Sequence, residues 1–450
     1  MAGKRLLGIG KASKSKKQKN AVIPSGDEKS ASETPEASNE LTVELNEEAD
    51  AYDEIAQLRA LWKTYADSDK DNELVINGII HECDRLLRNA KQKEDSEKVD
   101  ELPDDFHSIY ALALAELAKF HSDDNKQVSE YFDAALERVD LGLDQHKDSI
   151  QLLFSKSKIL LNKIPLQFIS QLNLTSSIEK DDEETKKNNR FPELSTLLDE
   201  ALESYEKAEK SADDSQKYEL FNNDHLEILE TLDDLLDIVD NFGKDLAEGV
   251  DDDEDEDEDS NIDLPSNHPL YSIRESDKYN QWWRDHIIKF LENVDKHSKS
   301  VNVNHESKEN DSKSDDKENP LLPLRREICK RIGQSYLQEA EVPSTVFTTL
   351  AYDDDYEGFT EWQGLTREES QKIAQDLIGT ALKYLKWAED KEEPETWVNV
   401  AEAMISLGNL YDVDSEEQEK YYKEAEKILV KANNVTNGKY EDVLENLLEN

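Results

Sequence analysis

The chain has 450 residues and a formal net charge of −51, with 36% apolar and 35% charged residues. That balance is too polar for one compact core and fits helical layers joined by polar segments. Its 14 Gly and 11 Pro are too few for a sandwich or barrel, which needs a turn about every 8–12 residues.

Residues 1–50 read as a disordered tail, first basic and then Ser/Glu-rich. The first 26 residues carry Lys4, Arg5, Lys11, Lys14, Lys16, Lys17 and Lys19 and no acid, leaving the rest with 47 basic against 105 acidic residues. A body so charged repels phosphates and attracts basic proteins, so direct nucleic-acid binding is not expected. The terminal cationic cluster reads as a nuclear import signal; a tail that only neutralises the body, or touches nucleic acid weakly, is the plainer alternative. The segment GIGK at 8–11 is not a phosphate loop, because Arg5 stands where that loop needs its first glycine. No apolar leader and no run of about 18 apolar residues is present, so neither secretion nor a membrane span is expected. Two cysteines, Cys83 and Cys329, make no disulfide framework and read as reduced, buried thiols.

A helical lobe is predicted over 51–245. Ile55, Leu58, Trp62 and Tyr65 line one helix face, and Asp71 or Asn72 can cap the next helix, striped by Ile76, Ile79, Ile80, Cys83 and Leu87. Further helices are predicted at 104–121, 128–145, 148–163, 193–210 and 218–243. The last carries Ile228, Leu232, Leu235, Val239 and Phe242 at alternating four- and three-residue steps, with Gly243 as its stop. His121-x-Asp123 has the spacing of part of an iron triad, but that triad sits on strands, and Asp123 or Asp124 suits a helix cap better. His81-x-Cys83 lies inside a helix without a second Cys pair, a poor zinc site. No nucleophile setting is found, so no catalytic or metal residue is expected, and no cofactor.

Residues 246–320 read as an acidic, low-complexity linker with one helix over about 276–296. Nine consecutive acids at 251–259 are either a solvated spacer or a grip for a basic partner. Trp282 and Trp283 either pack that helix onto a lobe or anchor a partner. The polar stretch 297–319 completes the linker, and a second helical lobe is predicted over 321–450.

Four helices carry Ala, a large residue four places on and a small one three places later: Ala135/Val139/Gly142, Ala201/Tyr205/Ala208, Ala381/Leu385/Ala388 and Ala425/Leu429/Ala432. This is the second-helix pattern of a tetratricopeptide repeat. Leu407-Gly408-x-x-Tyr411 and the looser Ile332-Gly333-x-x-Tyr336 are first-helix patterns, while Pro394 falls one place late for a closing proline. An irregular bundle produces similar spacings; both give stacked helix pairs, but only repeats give a continuous concave face. The fold class is therefore all-α, a degenerate tetratricopeptide-like helix-pair solenoid in two lobes. At that register Glu402, Ile405 and Asn409, with Glu327, Lys330 and Gln334, face a partner groove.

Longer segments carry a resemblance. KRLLGIGK near the start, IAQLRALWKTYADSDKDNELVINGIIHECDRLLR (55–88), FHSIYALALAELAKF (106–120), KIPLQFISQLNL (163–174), LLDIVDNFGK (235–244), VPSTVF (342–347) and PETWVNVAEAMISLGNLYD (394–412) closely resemble the fungal enhancer of translation termination family. That family includes the fission-yeast negative regulator of a prolyl-hydroxylase-like dioxygenase. The resemblance implies a nuclear, non-enzymatic protein of tetratricopeptide-like helices. It implies as partner a prolyl-hydroxylase-like dioxygenase, dependent on 2-oxoglutarate and iron, that acts on a ribosomal protein. It also implies roles in accurate stop-codon use and in oxygen- or hypoxia-responsive gene expression. The chain departs from the budding-yeast member by longer linkers at 176–190 and 297–319. Charge alone leaves a second function open, an acidic chaperone for a basic ribosomal protein or histone.

Overall fold

The computed structural model describes residues 50, 52–93, 101–178, 190–243, 263–306 and 319–444. The cationic tail at 1–26 and the acidic run 251–259 lie outside them. Among the described residues the chain is all-α, with fourteen helices and two small two-residue ladders.

The first half runs α1 (Glu54–Ala66), α2 (Glu73–Lys93), α3 (Asp104–Phe120), α4 (Asn125–Gln145), α5 (Ile150–Lys163), α6 (Leu194–Asp214) and α7 (Asn223–Asp240). Local chemistry sets these limits. Asp53, Asp124, Ser149 and Asn222 each accept backbone N–H bonds as N-caps, and Asn72 accepts from Leu74 N at the head of α2. Such side chains satisfy donors that a helix start leaves open. Gly243, at φ +90°, turns the chain after α7. Beyond α5 one turn widens to a π-helix, Ile164–Phe168, around Pro165, whose ring supplies no N–H for the regular ladder.

The second half runs α8 (Tyr271–Arg274), α9 (Lys278–Glu306), α10 (Leu322–Glu339), α11 (Glu341–Tyr352), α12 (Arg367–Ala388), α13 (Pro394–Gly408) and α14 (Glu416–Val435). Helices near in sequence pack as pairs: α3 on α4, α5 on α6, α7 on α9, α10 on α12, and α13 on α14. First helices also meet one another, α1 on α3, α3 on α5 and α5 on α7. Helix α11 and a hairpin, β3 (Glu361–Trp362) with β4 (Leu365–Thr366), interrupt one pair between α10 and α12. Gln363 and Gly364, both at positive φ, make its tight turn. The other ladder, β1 (Ser177–Ile178) beside β2 (Arg190–Phe191), is parallel. Neither ladder is visible in the sequence, because two residues show no alternation.

The repeat spacing has a packing cause. Ala135, Val139, Ala201, Tyr205, Ala208, Ala381, Ala425, Leu429 and Ala432 are all fully buried. Where helices approach closest, glycine is required: a Cβ at Gly142 would lie 2.8 Å from His107 Cβ, and one at Gly408 2.7 Å from Tyr422.

Residues 263–306 do not behave as a linker. Trp283, Ile287, Phe290 and Val294 of α9 are buried in one cluster with Leu198 of α6, Leu229 of α7 and Ile328 of α10. Burial of each such side chain is worth about 1.5–3 kcal/mol, which builds α9 into the core despite its polar flanks. The helix also runs ten residues past the expected limit, through Glu306, into the stretch predicted as linker. Asn319 donates to Ser298 Oγ at 2.6 Å, and Arg325 pairs with Asp295 at 2.8 Å. The core therefore continues across the predicted boundary between lobes. Arg274 of α8 donates to the carbonyls of Val239 and Phe242 at 2.6 and 2.7 Å, closing the end of α7 against the segment that follows it. Glu209 of α6, fully buried, receives Lys289 and His286 of α9.

Candidate protein-binding site

Helix α7 shows one face to the core and the other to solvent. His225, Leu226, Ile228, Leu229, Leu232, Leu235, Leu236 and Val239 are buried. The opposite face, at three- and four-residue steps, carries Asp224, Glu227, Glu230, Asp234 and Asp237 and not one Lys or Arg. Like charges aligned this way repel one another unless cations approach from neighbouring elements.

Cations arrive at the N-terminal end of the stripe. Lys70 Nζ lies 2.7 and 2.8 Å from the two carboxylate oxygens of Glu227, and Lys158 Nζ of α5 lies 2.8 Å from Oε2. Lys70 sits at φ +53°, its carbonyl held by the Tyr65 hydroxyl at 3.1 Å, and this turn aims its side chain across to α7. Burial opposes ionisation of Glu227, but Lys158 and Lys70 together hold its carboxyl down at about 2. Asp224 shifts the other way: burial raises it, Lys158 opposes, and Asp67 adds a like charge.

These groups wall a recess among α1, α3, α5 and α7, with Trp62, Tyr65, Glu116, Phe154 and His225 also lining it. His225 is 6% exposed and its ring lies 4.5 Å from that of Phe154; burial pulls its imidazole down to about 4, so it is neutral at neutral pH.

Further along α7 the stripe is poorly compensated. Arg331 of α10 pairs with Glu230 at 2.8 Å and with Glu327 at 3.0 Å. Burial raises Asp233 to about 6; Arg331 opposes this, while Asp234, Asp237 and Glu230 add to it.

The six residues expected in a groove fall on two helices. Glu327 and Lys330 are half-buried and Gln334 is exposed on α10, and through Arg331 this helix joins the acid stripe of α7. Glu402 is exposed and Ile405 half-buried on α13, and the exposed Asn409 caps its C-terminus, where it accepts from the Tyr422 hydroxyl of α14. The import-signal cations lie outside the described residues. Trp283 is buried and donates to Leu229 O at 2.8 Å, and Trp282 donates to Glu206 and stacks on His286, so this pair packs α9 within the fold. His121 stacks on Tyr131 and Asp124 caps α4. Cys83 and Cys329 are free and fully buried, and burial pushes their thiols up to about 12 and about 11.

Sequence reasoning missed the recess. Two signals were present: the acid stripe of α7, and Lys158 standing in the apolar stretch of α5. Neither locates a cavity, because its walls come from four helices spread between residues 62 and 228.

The model of a family described as nuclear pore complex subunit Nro1 matches residues 1–448. The chain is 71% identical to enhancer of translation termination 1 of Scheffersomyces stipitis over 99% of each chain. It is 61% identical to the protein of that name in Debaryomyces hansenii, over 99% of this chain and all of the relative. For the Candida albicans SC5314 protein of that name the figure is 52%, over 99% of each. Among solved structures, a circular tandem repeat protein aligns at 13% identity and a TM-score of 0.29, over 88% of this chain and 74% of its own, too loosely to carry an argument.

Proposed function

The chain belongs to the Nro1 family, with the enhancers of translation termination, and we propose that it is a nuclear, non-enzymatic adaptor acting in translation termination. Its relatives' names supply the nuclear and termination roles. Its partner in this reading is a prolyl-hydroxylase-like 2-oxoglutarate dioxygenase, through which it also regulates hypoxic and oxygen-responsive genes. Any iron and 2-oxoglutarate chemistry then belongs to that partner.

The observation that carries the adaptor reading is the face of first helices. It joins a walled recess to the acid stripe of α7, whose Asp224, Asp234 and Asp237 are exposed. Such a surface recognises a folded protein by shape and charge together. In this reading Glu402, Ile405, Asn409, Glu327, Lys330 and Gln334 supply further partner contacts. Lys4, Arg5, Lys11, Lys14, Lys16, Lys17 and Lys19 supply nuclear import.

A second reading has its own support. Net charge −51 and the run 251–259 suit an acidic chaperone of a basic ribosomal protein or histone. Affinity purification separates the two. An adaptor that docks through the recess and the acid stripe retains a dioxygenase-class partner at moderate salt after deletion of 251–259, while either complex weakens as salt screens its charges. Complete loss on that deletion replaces the adaptor with the chaperone. Charge reversal at Glu402 and Glu327 should weaken retention. A reporter fused to residues 1–25 should enter the nucleus; retention in the cytosol would refute the import role.

A further inference from the structure

Glu116 of α3 is only 5% exposed, yet its Oε2 has no hydrogen-bond partner. Its other oxygen is held by Lys119 at 2.8 Å. A buried carboxylate oxygen without a donor is destabilising, and a cation that reaches it removes the penalty, so such an atom in a cavity wall points to a missing donor. Glu116 lines the recess described above, together with Asp224 and Trp62.

The remaining wall says which donor fits. Glu227 is satisfied by Lys70 and Lys158, so it makes no further demand. Asp224, with Asp67 close enough to add a like charge, leaves the mouth acidic. Trp62 offers an aromatic surface on the α1 side, which favours a planar, delocalised cation over a compact ammonium. The void measures about 50 Å³. That exceeds the roughly 10–15 Å³ a single water needs, so a small planar head group fits.

We propose that this recess receives an arginine side chain of the protein partner, carried on a basic segment that continues along the acid stripe of α7. The proposal rests on the adaptor reading and names its chemistry at one end of the face. The guanidinium donates to Glu116 Oε2 and to Asp224 while its plane lies against Trp62. Flanking cations of the same segment meet Asp234 and Asp237, which the neighbouring helices leave undercompensated.

The test uses the full chain and fluorescein-labelled peptides of alternating arginine and glycine, with lysine and citrulline counterparts, read by anisotropy. The arginine peptide should bind more tightly than the lysine peptide, and the citrulline peptide should not bind. Glu116→Gln keeps the volume and removes the charge, and it should weaken the arginine peptide about ten-fold, the worth of a charge-assisted hydrogen bond. Asp376→Asn, on the exposed face of α12, removes an equal charge elsewhere and should change little. A merely structural Glu116 would lower the thermal midpoint of the glutamine variant and leave peptide affinity intact. Equal weakening by both variants, or by neither, overturns the proposal. If Glu116→Gln fails to fold, Asp224→Asn at the mouth carries the same expectation. The adaptor reading fails separately, when the wild-type chain retains no partner from nuclear extract whatever the peptides do.

Discussion

A β-carbon placed on Gly333 of α10 would stand 2.7 Å from Cγ of Leu385 on α12, and 3.3 Å from the carbonyl of Ala381. The two helices meet backbone against side chain, and Leu385, itself 2% exposed, has no room to move aside. Gly333→Ala should therefore cost about 1–3 kcal/mol in urea unfolding, the usual effect of overpacking. Adding Leu385→Ala should return less than the sum of the two single losses. Gly379, in the interior of α12, is the internal control, since a β-carbon there would meet nothing within 4 Å. At that position alanine should stabilise by about 0.5–1 kcal/mol, because glycine is the poorer helix former.

Glu209 should hold α9 in place. It is fully buried and receives Lys289 at 2.5 Å and His286 Nδ1 at 2.9 Å. Glu209→Ala removes the acceptor of the charged Lys289 and should cost about 1.5–3 kcal/mol. Hydrogen exchange should accelerate first in α9. Unchanged protection there would show that apolar burial alone fixes this helix.

Asp233 should make the fold sensitive to alkali rather than to acid. Its folded carboxyl, at about 6, lies above the ordinary aspartate range, so the folded chain holds the proton more tightly than the unfolded one. The stability it contributes is complete below about pH 4 and is lost as pH rises through 6. Asp233→Asn should be more stable than wild type by about 1–2 kcal/mol at pH 7, after allowance for solvent screening. The difference should vanish near pH 4; a constant difference across that window would sink the assignment.

His225 should act in the opposite direction over nearly the same range. Its folded imidazole is pulled down to about 4, below the unfolded value of about 6.5, so the unfolded chain binds the proton first. Stability is then lost as pH falls from about 6.5 to 4, by roughly 2 kcal/mol between pH 7 and 5. A His225→Phe variant, which keeps a ring against Phe154, should lose that part of the acid sensitivity. Equal acid sensitivity in both chains would remove His225 as its source.

The caps at Asn72 and Asp124 and the stop at Gly243 were legible because each depends on a few adjacent residues. The repeat spacing was legible for the same reason: Ala381 and Leu385 are one turn apart, and the small residue exists for a partner helix that always packs there. Helix α9 was read as a helix, but its length and its place in the core were missed. Its apolar stripe of Trp283, Ile287, Phe290 and Val294 is short, and its flanks are polar, so composition outweighed periodicity. The recess was out of reach altogether, since Trp62, Glu116, Lys158 and Glu227 become neighbours only after four helices stack. The opposite shifts of Glu227 and Asp224, three residues apart on one helix, likewise depend on neighbours that arrive from elsewhere: Lys158 and Lys70 lower Glu227, while burial and Asp67 raise Asp224.

The clamp of Arg274 on the carbonyls of Val239 and Phe242 gives the acidic run unusual latitude to change in sequence. Phe242 and Leu264, on either side of that segment, both pack in the same core, so the chain between them joins two fixed points of one body. Doubling the length of such a loop costs only about 0.6 kcal/mol. Mutation can therefore lengthen it, recharge it or dot it with modification sites while the scaffold stands unaltered, and a protease nick within it should leave the two fragments associated as one particle.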